Sequence, residues 1–305
     1  MYAVIRFGLQ ESKNMSYLEI FGNKFTGMVS WIIDMVTFNV EWNQNWFYGL
    51  IAVSIAVWGL EIVFPWRKNQ KLIRKDFWLD AFYMFFNFFI FAIILESVYI
   101  LFETYFTTHG LPMDKLALFS EQSPTWVIIV VFFVLSDFFQ WFTHLLLHRY
   151  SFLWRFHKVH HSVEEMGFSA HLRYHWMENI FYKPLKTLAL MLVIGAQPEH
   201  AFFVHFFSIT IGHLNHANVR ITWGPLKYVF NNSVMHLYHH AKDLPAHRVN
   251  GVNFAISLSI WDYIFKTNYI PQDQDGSYAL GFEGIENYPK GFWGQLVSGF
   301  RKNNQ

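Results

Sequence analysis

An all-α integral membrane bundle with a cytoplasmic histidine-rich helical cap is the fold this sequence predicts, on three observations. Apolar runs recur at the length a bilayer demands, the loops between them are basic on one side only, and the histidines cluster at helical spacing after the third run. Composition agrees: 53% of residues are hydrophobic and only 15% charged, where a soluble domain carries about 25% charged. Phe occurs 35 times, beside 13 Trp and 15 Tyr, a density suited to lipid-facing surfaces and interfacial belts.

A helix needs about 20 mostly apolar residues to cross the hydrocarbon core. Residues 46–66, WFYGLIAVSIAVWGLEIVFPW, satisfy this and close at Pro65. Residues 77–102 predict a second span and 125–147, TWVIIVVFFVLSDFFQWFTHLLL, a third. The stretch 187–214 is apolar but interrupted at Gln197-Pro198-Glu199-His200, so it is either one kinked span or a short hairpin. That makes about four spanning helices. An earlier segment, 25–39, is shorter, contains Asp34 and predicts an interfacial helix.

Orientation follows from the loops. RKNQKLIRK places five basic residues from Arg67 to Lys75 between the first two spans, whereas 103–124 carries only Lys115. The positive-inside rule puts the basic loop in the cytoplasm, and with it the end of the third span. The expectation is a multi-pass protein of a bacterial inner membrane or the endoplasmic reticulum, with its polar cap facing the cytoplasm. A hairpin at 187–214 would bring the later histidines to that same face; a single crossing would separate them. With no linker or low-complexity run, 1–305 reads as a single membrane domain, with 125–270 as its histidine-bearing core.

Other classes fall away. Cysteine is absent, which excludes a disulfide scaffold, an iron–sulfur cluster and a thiolate zinc site. A net charge of +1 gives no global attraction to nucleic acid. The first twenty residues lack the apolar core and small-residue site of a cleavable signal peptide.

All 16 histidines lie between His109 and His247. Residues three or four apart share a helix face, so His144 with His148, and His157 with His160 and His161, can converge on metal. The second HxxHH, His236, His239 and His240, repeats the pattern. Its adjacent pair diverges by about 100° around the helix, so one turn can serve two neighbouring ions. Lone residues such as His109, His200 and His205 read as interfacial side chains. Buried imidazoles without partners are costly, and these segments hold few carboxylates to satisfy them.

The run HLLLHRYSFLWRFHKVHHS, then SAHLRYHWME, HLNHANV, HLYHHAKD and NFAISLSIWDYIFKT, resembles the fatty acid hydroxylase and sterol desaturase superfamily over about residues 125–270. The resemblance implies a membrane oxidoreductase with two non-haem iron ions, O2 as co-substrate and a lipid substrate. Its electrons would come from a separate donor of cytochrome b5, ferredoxin or reductase type. It implies metal ligation by His144, His148, His157, His160, His161, His236, His239 and His240, and adds His175 and His216. Leu145, Ser151 and Trp176 depart from the family's usual Arg, Pro and Pro, and none of these removes a ligand. Hydroxylation, desaturation and ether cleavage all stay open.

Three polar residues are expected to orient ligands. Asp137 lies seven residues before His144 on the same helix face, Glu178 follows His175 by three, and Asn218 follows His216 by two. Asp137 and Glu178 could each accept a ring N–H and fix a tautomer, and Asn218 could orient a ligand or bind a metal-bound water; for Asp137 the alternative is a helix-packing carboxylate bonded to a neighbouring Tyr or Trp. Trp261-Asp262 reads as a structural pair that packs or caps a helix. The rival functions are a histidine-rich metal transporter and a bis-histidine membrane cytochrome. The first would set its polar residues at mid-span, and the second would hold its histidines within the spans.

Overall fold

The structure is a computed structural model that describes residues 17–90, 123–180, 198–248 and 250–301, with 109, 119, 182, 185 and 193 besides. Among the described residues every regular element is helical. Two isolated bridges, Pro65 with Val219 and Ala241 with Leu280, form no strand.

Helix α1 spans Tyr17–Val36, starting earlier than the interfacial segment expected at 25–39. Helix α2, Trp46–Val63, stops short of Pro65, which lacks the N–H to continue it. Helix α3, Phe77–Phe85, runs on as one π-helical turn, Phe86–Ile90; the rest of the expected second span, 91–102, lies outside the described residues. Helix α4, Thr125–Arg149, is the longest among the described residues, and after extended Tyr150 the chain re-enters helix as α5, Ser151–His161. Helix α6, Pro198–His216, is unbroken, with Pro198 at its first position, where a missing N–H costs nothing. Of the stretch 187–214, residues 187–197 lie outside the description apart from Val193, so the choice between a hairpin and a kinked span falls outside the described residues. Helices α7 (Ser233–His239), α8 (Ile260–Ile264) and α9 (Phe292–Ser298) are short.

Helices α2 and α4 are long and apolar enough to cross a membrane, and only 22% of the most apolar window of each is buried in the protein. The core helix of a soluble protein would be mostly covered. Outward apolar side chains such as Ile55, Trp126 and Val130 suit a lipid solvent instead.

The chain divides into two compact units. The first comprises Met1–Ala52, Phe89–Ser136 and Lys183–Phe207. Its described core gathers Ile128, Phe132, Val193 and Val204. Asn45 donates to the Met35 carbonyl at 3.0 Å and accepts from the Tyr48 N–H at 3.1 Å, joining the end of α1 to the start of α2.

The second unit comprises Val53–Phe88, Asp137–Tyr182 and Ser208–Gln305, and it carries every clustered histidine. A buried ion network organises one side of it. The Arg173 guanidinium reaches Asp80 at 2.9 Å, Asp76 at 3.3 Å and the Ser162 hydroxyl at 2.9 Å, while Arg74 pairs with Asp80 and Ser169. Buried charges are tolerated when paired with opposite charge in this way. The network fixes the 168–172 turn against the start of α3.

The expected five-residue basic patch is therefore reduced. Arg74 is buried in this network. Arg67 donates to Gln70 and to the Met166 carbonyl. Lys75 pairs with Glu164 at 2.9 Å, so Lys68 and Lys71 are what remains of the patch.

Candidate metal centre

Helix geometry delivers the first candidate ligands. His144 and His148 are one turn apart at the end of α4, and His157, His160 and His161 end α5. His216 closes α6, and His236 and His239 lie on α7 with His240 just beyond it. The α7 turn starts from Asn232, whose side chain accepts the Met235 N–H at 3.0 Å, an N-cap that sets the phase of the histidines.

Folding brings nine of the ten expected ligands together in two groups. His144, His148, His157, His161 and His239 form one; His160, His216, His236 and His240 form the other. In each, the candidate ligand nitrogens all lie within 4.8 Å of one another. The two HxxHH motifs are each split between the groups, as their angular spread requires. Eight of the nine are buried, and His148 is partly exposed beneath Trp154, whose ring lies 5.0 Å from it and 5.1 Å from His161.

The tautomers point inward. Nδ1 faces a carbonyl oxygen in four rings: His144 on Phe254 at 2.6 Å, His160 on Arg173 at 3.0 Å, His216 on Gly212 at 2.7 Å and His239 on Val252 at 2.6 Å. A carbonyl only accepts, so Nδ1 carries the proton and Nε2 presents a lone pair. In a fifth ring, His157 Nδ1 meets the Glu178 carboxylate at 2.9 Å. Those lone pairs converge. Nε2 of His144 and His157 are 3.1 Å apart, those of His160 and His216 3.4 Å, and those of His216 and His236 3.0 Å. Where both Nδ1 atoms are protonated, no proton lies between the two Nε2 atoms, and the contact is repulsive without a cation. Ligand nitrogens about 2.0–2.1 Å from one ion lie roughly 2.9 Å apart at right angles and roughly 3.3 Å apart in a tetrahedron. The observed spacings fall on that range, and His239 Nε2 is buried with no hydrogen-bond partner. The residues fit a metal pair.

Burial, the main cause, holds His157, His160, His161, His236, His239 and His240 below the ordinary imidazole pKa, His160 at about 4 and His239 at about 3. Neutral imidazole is the ligating form. A haem is a poor fit, because axial nitrogens must face each other across a macrocycle, whereas here each pair is ringed by further imidazoles.

Three expectations need correction. His175 joins neither group: its Nε2 bonds to the Leu296 carbonyl at 2.7 Å and its Nδ1 accepts the Met177 N–H at 3.1 Å. Asp137 bonds to no imidazole; it accepts from the Ser257 and Leu258 N–H groups and from Trp261 Nε1 at 3.0–3.2 Å. Asn218 exchanges two bonds with the Arg67 backbone instead. Asp262, read as half of a structural pair, is fully buried and accepts from the Phe254 and Ala255 N–H groups, which is consistent with that reading. Glu178 does touch a ligand ring. His171 and His213, which the ligand set omitted, pair with each other at 2.8 Å through Nδ1, and His213 continues to the Ser54 hydroxyl at 3.2 Å. The exposed His247 is outside both groups.

Residues 129–267 match the fatty acid hydroxylase family model. The chain is 30% identical over 185 residues to the ornithine lipid hydroxylase OlsE of Rhizobium tropici, covering 61% of this chain and 54% of that protein. It is 28% identical over 144 residues to the alkylglycerol monooxygenase of Caenorhabditis elegans, and 31% over 136 residues to that of Homo sapiens. These cover 47% and 43% of this chain but 26% and 28% of the relatives. The chain thus spans about half the length of the first relative and under a third of the other two. No solved structure matches it. The matched segment contains all nine grouped histidines, and it is over this segment that the chain is similar to the fatty acid hydroxylase family.

Proposed function

We propose that this chain is a membrane-bound oxygenase that hydroxylates a lipid through two iron ions. The five-histidine group would hold one ion and the four-histidine group the other. The carrying observation is the pairing of two buried imidazole groups whose lone pairs face each other at ligand spacing. Two reducible ions so placed supply the means to couple O2 to an unactivated C–H bond, with a separate redox protein donating the electrons. The balance is one C–H bond and O2, with two electrons and two protons, giving an alcohol and water.

The chain's own residues bind, orient and exclude. Glu178 and the carbonyls of Val252, Phe254, Arg173 and Gly212 each hold a ring so that Nε2 points into its group. Phe254, fully buried, packs its ring 5.1 Å from His148 and keeps water from that side. Imidazole alone suits several metals; the family favours iron. The relatives are named for hydroxylation of an ornithine lipid and oxygenation of an alkylglycerol, which favours oxygen insertion over desaturation and a polar lipid as substrate. The apolar α2 and α4 support a multi-pass protein, and the basic loop at Arg67–Lys75 supports a site facing the cytoplasm.

Lipid profiling under ¹⁸O₂ tests this reading. A host expressing the chain should gain a lipid species carrying one ¹⁸O atom, and a host expressing His157→Ala should not. Identical lipids in the two hosts would refute the proposal.

A further inference from the structure

Residues 252–258, VNFAISL, run without regular structure and are buried along their whole length. Backbone buried outside a helix must find partners, and here the partners are ordered. The Val252 and Phe254 carbonyls accept the Nδ1 protons of His239 and His144. The Phe254 and Ala255 N–H groups donate to Oδ1 and Oδ2 of Asp262, each at 2.9 Å. Trp141 Nε1 at 3.0 Å and the Thr267 hydroxyl at 2.6 Å complete that carboxylate's shell. Asn231 and Asn215 tie down the Ala255 and Ile256 carbonyls, and Asp137 takes the N–H groups of Ser257 and Leu258. Asn253 takes up the left-handed conformation at φ 54°, which Asn tolerates better than most residues.

The Phe254 carbonyl and the Ala255 N–H belong to one peptide unit. Asp262 holds its N–H end and the His144 imidazole holds its oxygen end. A carboxylate on the N–H polarises the peptide and makes its oxygen a stronger acceptor. The geometry points to Asp262 as a positioning residue of the metal centre: through one peptide it gives His144 the anionic support that Glu178 gives His157 directly. Both supported rings belong to the five-histidine group, whereas His160 and His216 of the other group lean on the carbonyls of Arg173 and Gly212. The strap also holds His239, so losing Asp262 releases two ligands of one ion and none of the other. This inference rests on the metal-centre reading proposed above.

The test is metal retention by the purified full chain, loaded anaerobically with Fe(II) and dialysed against a chelator, with Co(II) as a spectroscopic stand-in. Wild type should keep one ion per group. Asp262→Ala should keep the four-histidine ion alone, with a cobalt spectrum like that of His239→Ala and unlike that of His236→Ala. Asp262→Asn should bind the five-histidine ion about 10–100-fold more weakly than wild type. Val57→Ala, a core truncation away from the strap, controls for lost stability. The inference is overturned if Asp262→Ala keeps both ions, or if it loses both in step with its melting temperature as Val57→Ala does. A wild-type chain that takes up no metal would instead sink the metal-centre reading itself, a separable result.

Discussion

His157 Nδ1 and the Glu178 carboxylate stand 2.9 Å apart, and each side chain is only 2% exposed. Burial raises the Glu178 carboxyl to a pKa of about 8, so the anion is costly there without a cation to offset it. A metal ion held by His157 would supply that cation through the ring. Glu178→Gln keeps an oxygen in reach but removes the charge. It should weaken retention of the five-histidine ion about 10–100-fold and leave the four-histidine ion in place. Iron content after graded chelation reads this directly, and unchanged retention would remove Glu178 from the centre.

His175 and His161 separate the expected ligand set from the grouped one. His175 has both ring nitrogens bonded to backbone, whereas His161 Nε2 lies 3.1 Å from Nε2 of His148. His175→Ala should therefore cost about 1–3 kcal/mol of folding stability in lost bonds and lower the melting temperature, with both ions retained. His161→Ala should lose an ion. Equal metal loss in the two variants would return His175 to the ligand set.

Much of this was legible in the sequence because helix geometry is local. Spacings of three and four put His144 beside His148, and His157 beside His160 and His161, wherever the helices lie. The split of each HxxHH between two groups follows from the same angle. What orients the rings was not legible, because the acceptors are mostly the carbonyls of Val252, Phe254, Arg173 and Gly212, and a carbonyl has no residue signature. Asp137 shows the limit. Its helical phase to His144 was correctly read, but the buried 257–258 backbone takes its oxygens. His175 misled for a similar reason: only tertiary contact with Leu296 shows its ring to be already bonded.

Acid should release metal and unfold the protein together. His157, His160, His161, His236, His239 and His240 are held below their unfolded pKa, which is about 6.5. A depressed histidine contributes stability that is fully present above 6.5. That stability is lost as pH falls toward the folded value, about 4 for His160 and about 3 for His239. Each costs about 1.4 kcal/mol per pH unit in that window. Glu178 and Asp262, both raised by burial, have the opposite sign, destabilising the metal-stripped fold as pH rises, Glu178 from about 4.5 toward 8, but they are two groups against six. The melting temperature of metal-stripped protein should therefore drop steeply from pH 6.5 to 5, and iron retention with it. A flat profile across that window would mean that the site histidines are not buried and neutral.

Gly212 gives the last prediction. A Cβ built on it would lie 2.2 Å from Cε1 and Nε2 of His171, while its own carbonyl holds His216 Nδ1 at 2.7 Å. The His171 ring is buried, bonded to His213 and 5.1 Å from the His216 ring, so it has little room to retreat. Gly212→Ala should cost about 1–3 kcal/mol through overpacking and loosen the four-histidine ion through His216. Removing the obstructing ring should reverse this: Gly212→Ala with His171→Ala should recover melting temperature and metal content relative to Gly212→Ala alone. That rescue separates steric pressure on the site from simple loss of helix propensity, because alanine is the better helix former at this position and would by itself stabilise α6.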